Sequence, residues 1–129
     1  MKFASLLAAI AMIAAPLAAP SIALAHTRVV ASTPAEGATV ARPRAVTLTF
    51  SEALLPPTAA ASIVMTAMPG MANHGEMAIR NFTTSWSNGN KTMTLTLKKP
   101  LAKGTYEVRW QAAGADGHRM TGKVSFIVG

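Results

Sequence analysis

The chain has 129 residues, 50% of them hydrophobic, with a formal net charge of +7 and no cysteine. The lack of cysteine excludes disulfide scaffolds and thiolate metal sites, so stability must come from an apolar core and any soft-metal site from methionine or histidine. Basic residues are spread from Arg28 to Lys123 with Lys98-Lys99 as the densest run. That spread is the pattern of a solvated basic surface, not of a nucleic-acid footprint.

At the start of the chain, Lys2 is followed by an apolar run from Phe3 to Ala15, interruptions at Pro16 and Pro20, and the sequence Ala23-Leu24-Ala25. A positive start, a short apolar stretch and a small-x-small site predict a secretory signal peptide over 1–25 that is cleaved after Ala25. A membrane anchor would need roughly 20 uninterrupted apolar residues. Processing would leave a single domain over 26–129, periplasmic and without membrane insertion, carrying eleven basic and five acidic residues.

From there the chain reads as short alternating segments separated by turn residues. Arg28 to Ser32 predicts a first strand and Pro34-Ala-Glu-Gly37 a turn. Val46, Leu48 and Phe50 share one face of a second strand, and Ala61 to Thr66 predicts a third. Met77 to Trp86 is expected to be extended, with Asn88-Gly89 turning a hairpin into Thr92 to Leu97. Tyr106, Val108 and Trp110 share a face on the next strand, and Val124, Phe126 and Val128 on the last. About seven short strands and no amphipathic helix predict an all-β domain, a Greek-key antiparallel β-sandwich or barrel.

Three groups of residues carry metal chemistry. Cleavage after Ala25 frees the α-amine of His26, which can chelate one ion together with its imidazole; nitrogen donors of this kind suit Cu(II). Asp116-Gly117-His118 lies between the last two strands. On an extended segment its side chains at i and i+2 would share a face, with Asp116 a ligand or the partner of a ligating imidazole, although Asp-Gly is also a common turn dipeptide. The strongest group is Met65, Met68, Met71, His74 and Met77, which places four thioethers and an imidazole within 13 positions. Pro69, Gly70, Asn73 and Gly75 exclude a helical core stripe there, although Met65 also shares strand parity with the apolar Ile63. Exposed thioethers risk oxidation, and their chemical use is as soft ligands for Cu(I).

With these residues in place, the sequence resembles the CopC/PcoC family of periplasmic copper-resistance proteins. The resemblance rests on His26, the Ser32-Thr-Pro-Ala-Glu-Gly37 turn, Phe50-Ser-Glu52, the Met65–Met77 segment and Asp116-x-His118. It implies a Greek-key β-barrel or sandwich with two copper sites at opposite ends. One would hold Cu(II) on the amine and imidazole of His26 and on His118, with Asp116 and Glu52 completing or supporting it. The other would hold Cu(I) on a subset of Met65, Met68, Met71, His74 and Met77. The resemblance further implies a copper carrier and not an enzyme, with an inner-membrane copper importer or a periplasmic multicopper oxidase as partner. Two other readings stay open from the residues. A copper-dependent oxidase would use the N-terminal histidine, and a metal-free β-sandwich would bind a protein or sugar.

Overall fold

Residues 27–71 and 75–129 are described by a computed structural model of the chain; the expected signal peptide, His26 and His74 lie outside them. Among the described residues nine strands run in chain order: β1 (Val29–Thr33), β2 (Thr39–Val40), β3 (Ala45–Phe50), β4 (Ala60–Ala67), β5 (Met77–Ile79), β6 (Phe82–Ser87), β7 (Thr92–Leu97), β8 (Gly104–Ala113) and β9 (Arg119–Val128). They form two sheets, one ordered β1-β3-β7-β6 and the other β2-β9-β8-β4-β5.

The alternation of apolar and polar residues fixes both inner faces. Val46 and Leu48 on β3 stand opposite Leu95 and Met93 on β7, and all four are fully buried. From the other sheet, Ile63, Tyr106, Val108, Trp110, Val124 and Phe126 close the core. Burying each such side chain contributes roughly 1.5–3 kcal/mol, the main stabilising term in a chain without cross-links. Phe50 lies at the centre of an aromatic cluster, edge-on to Trp110 with ring centroids 4.9 Å apart and stacked at 6.4 Å on Trp86.

In the strand framework sequence and structure differ at four points. The stretch from Met77 to Trp86 is two strands, because apolar parity flips between Ile79 and Phe82; Arg80-Asn81 carries the chain from one sheet edge to the other. The Asn88-Gly89 hairpin has a four-residue connection, with Asn88, Gly89 and Asn90 all at positive φ. The sandwich is antiparallel except for β2, which pairs parallel to β9 through Thr39–Ile127 and Val40–Val128. The two-residue β2 and a 3-10 turn at Pro56–Thr58 are too short to register as periodicity.

The Pro34–Gly37 turn has a defined task at the edge of β9. Gly37 adopts φ 74°, donates its N–H to Ser125 O at 2.7 Å, and Glu36 Oε2 accepts the Ser125 N–H at 2.8 Å. The turn thereby satisfies the edge of β9 just before β2 takes over.

Gly122 faces Trp110 across the β8–β9 ladder, and a Cβ there would stand 2.7 Å from the indole ring. Gly122→Ala is therefore expected to lower unfolding free energy by about 1–3 kcal/mol through overpacking. Urea unfolding followed by Trp fluorescence measures it; an unchanged midpoint would mean that the indole can move aside.

Candidate metal sites at opposite ends

The β8–β9 hairpin positions Asp116 and His118. The chain turns through 114–118 with Gly117 at φ 79°, so these residues lie on a turn and not on an extended segment. Asp116 Oδ1 accepts the His118 backbone N–H at 3.0 Å, and Asp116 Oδ2 is 2.9 Å from His118 Nδ1. The short polar side chain thus folds back on its own turn and brings the two groups together. The hydrogen bond from the His118 ring, helped by the one from its backbone, holds the Asp116 carboxyl below the usual carboxylate range. An ionised carboxylate only accepts, so Nδ1 carries a proton, and in the neutral ring the Nε2 lone pair is left for a metal.

Two other segments meet this hairpin. Thr27, immediately after His26 in the sequence, is 4% exposed, and its hydroxyl has no hydrogen-bond partner among the described residues. A Cβ on Gly114 would stand 3.4 Å from Asp116 Oδ1 and 3.9 Å from Thr27 Oγ1, so both oxygens flank one backbone position. Ser51 donates its N–H to Arg28 O at 2.9 Å, and Leu54 bridges to Gly114, so the bend carrying the exposed Glu52 runs between the N-terminal segment and the hairpin. Among the described residues no three His, Asp or Glu side chains converge as a metal site; the histidine–carboxylate pair stands without a third.

At this end Asp116→Asn removes the carboxylate that orients the His118 ring, so a Cu(II) ion held at Nε2 would be bound about 10–100-fold more weakly. Competition against a Cu(II) chelator measures it. The stability contributed by the hydrogen-bonded Asp116 carboxylate is fully present above about pH 4, the unfolded-state value, and is lost as pH falls through the depressed folded value.

The methionine segment lies at the opposite end. Met68-Pro69-Gly70-Met71 forms a tight turn closed by the Met71 N–H to Met68 O bond at 3.1 Å, with Gly70 at φ 75°. Pro and Gly as the central pair, with Gly at positive φ, fit a type II turn, which holds the Cα atoms of Met68 and Met71 within about 7 Å. Met71 and Met77 are 53% and 51% exposed, and Met68 packs partly against the core. Met65 is different. It is 4% exposed, and its methyl group would lie 3.2 Å from a Cβ on Gly104, so it serves as packing beneath the segment, as its parity with Ile63 allows.

One anchor here left no signal in sequence spacing. Arg109 on β8 grips Glu76 through two hydrogen bonds of 2.6 and 3.1 Å and also bonds Glu107 at 2.9 Å. This fork ties the returning limb of the methionine segment to the sheet beside Met77. Glu76 and Glu107 are 31 positions apart, and only the folded sheet places both against one guanidinium.

The ten-residue β8 runs from one end to the other, so at about 3.3 Å per residue the two candidate sites are on the order of 30 Å apart. A two-sheet β domain with an imidazole–carboxylate pair at one end and clustered thioethers at the other presents the donor types that suit the two oxidation states of copper. Residues 29–129 match the CopC domain, and the chain belongs to the CopC family. It is 43% identical over 119 residues to copper resistance protein C of Pseudomonas syringae pv. tomato, covering 92% of this chain and 93% of that protein. It is 35% identical over 106 residues to copper resistance protein C of Escherichia coli, covering 82% and 83%. The crystal structure of PcoC, a methionine-rich copper resistance protein from Escherichia coli, superposes with a TM-score of 0.72 at 32% identity, over 81% of this chain and all of that one.

Proposed function

We propose that this chain is a periplasmic copper carrier, exported with a signal peptide over 1–25 and matured by cleavage after Ala25. In this reading the mature domain holds Cu(II) on the amine and imidazole of His26 and on His118 Nε2, with Asp116 orienting that ring and Glu52 completing or supporting the site. It holds Cu(I) on Met68, Met71 and Met77 together with His74, above the packed Met65. Nitrogen donors and carboxylates favour Cu(II), and thioethers favour Cu(I). The observation that carries the reading is the burial of Thr27 beside the Asp116–His118 pair, because the residue before Thr27 is His26.

The test is a Cu(II) titration followed by electron paramagnetic resonance, comparing protein that begins at His26 with protein bearing one extra N-terminal glycine. The expected result is one nitrogen-coordinated Cu(II) in the first, and in the second an altered spectrum and affinity, since the His26 amine donor is replaced by an amide. Identical spectra and affinities would remove His26 from the site.

A further inference from the structure

Six of the eleven basic residues that follow Ala25, dispersed along the sequence, gather at the methionine end of the fold. Three connections, 41–44, 80–81 and 98–103, contain Arg42, Arg44, Arg80, Lys98, Lys99 and Lys103 and no acidic residue. Backbone hydrogen bonds join them into one surface: Leu97 N–H to Arg44 O at 2.9 Å, Lys98 N–H to Asn81 O at 2.9 Å and Leu101 N–H to Pro43 O at 3.1 Å. All six side chains are exposed, and none forms an ion pair among the described residues. No acid pairs with these six. Glu36 accepts from Ser125, Glu76 and Glu107 share Arg109, Asp116 holds His118, and Glu52 lies on the bend beside the opposite end. Lys103 joins this basic surface to the methionine turn, lining a shallow cleft with Met68, Pro69 and Ile127.

We propose that this basic surface docks an acidic patch on a protein partner that exchanges Cu(I) with the methionine segment; the exchange rests on the Cu(I) reading above, the docking does not. Uncompensated like charges around a loop steer a partner of opposite charge and orient it before contact. An anionic membrane would be met by the same charges. However, the three connections carry none of the exposed large apolar side chains at this end, which are Ile127 and the candidate ligands Met71 and Met77, and Leu101 is buried. A protein partner therefore fits better.

The probe is a synthetic peptide containing three methionines and four aspartates, beside a version with serine in place of aspartate. Docking is read on copper-free protein by amide shifts; the acidic peptide should perturb 41–44, 80–81 and 98–103, and the serine version should not. Copper transfer from Cu(I)-loaded protein should be about tenfold faster to the acidic peptide at low ionic strength, and the advantage should vanish at high salt. A K98E/K99E/K103E variant should lose both effects at unchanged Cu(I) affinity, whereas R28E/K91E/R119E, which reverses as many charges away from this surface, should retain them. Shifts scattered over the whole surface, or equal losses in the two variants, would overturn the proposal. So would charge-dependent binding to vesicles of phosphatidylglycerol and phosphatidylcholine without discrimination between the peptides. Failure of the methionine segment to bind Cu(I) would instead refute the carrier reading, while the shift experiment would still decide on docking.

Discussion

Replacing Met68, Met71 and Met77 together by leucine should weaken Cu(I) binding by about 100-fold or more, because leucine matches methionine in volume but offers no sulfur lone pair. The fold should tolerate the change. Met71 and Met77 are about half exposed, Met68 is only partly buried, and a Leu-for-Met exchange usually costs less than about 1.5 kcal/mol even in a core. Cu(II) binding, at the other end of β8, should be unaffected. Met65→Leu should behave in the opposite way. It leaves Cu(I) affinity unchanged and shifts only stability, since Met65 is 4% exposed beneath Gly104. Competition with a chromogenic Cu(I) chelator and urea unfolding give the Cu(I) affinity and stability of both variants, and a Cu(II) chelator gives the fifth value. If the triple variant still bound Cu(I) tightly, the methionine end would not be a copper site. If Met65→Leu lost as much affinity as the triple variant, the segment would have to open its own packing to bind metal.

What the sequence made legible follows period-two alternation. Val46-Leu48-Phe50, Met93-Leu95-Leu97, Tyr106-Val108-Trp110 and Val124-Phe126-Val128 each read as one buried face, and each is one. Together they define the two inner faces, and the all-β class follows from them. Features set by single hydrogen bonds or by parity breaks were not legible in this way. The parallel β2–β9 pair involves two residues, and the strand change at Arg80-Asn81 is marked only by the step from Ile79 to Phe82. The candidate donors were legible as residue types, but their geometry was not. Asp116 and His118 meet through a turn that Gly117 permits, where extended spacing predicted a shared strand face. The basic surface was invisible for a different reason: its residues come from three connections far apart in sequence, and only the backbone bonds at one end of the sandwich bring them together.

If the protein is loaded with Cu(I) and one electron per copper is then removed by an oxidant, the copper should move to the histidine end, and it should do so between molecules. The thioethers that suit Cu(I) are poor partners for Cu(II), so oxidation removes the reason for the ion to stay. The histidine end of the same molecule offers no direct route. The sites are on the order of 30 Å apart along β8, and the space between them is a packed core of Ile63, Tyr106, Val108 and Trp110, with no chain of polar ligands among the described residues. Copper must leave the molecule or pass to a second one. A donor carrying Cu(I) and a non-histidine affinity tag can be oxidised beside a tenfold excess of untagged, metal-free acceptor beginning at His26, and the two separated within seconds. A solution route predicts a statistical outcome, with about nine-tenths of the Cu(II) on the acceptor, because the two sites on one molecule have no connection that favours it. Retention of most copper on the tagged donor would require an internal path that the packed core does not offer. Retention with no change toward a nitrogen-coordinated spectrum would mean instead that the methionine end holds both oxidation states, and the division of labour between the ends would fail.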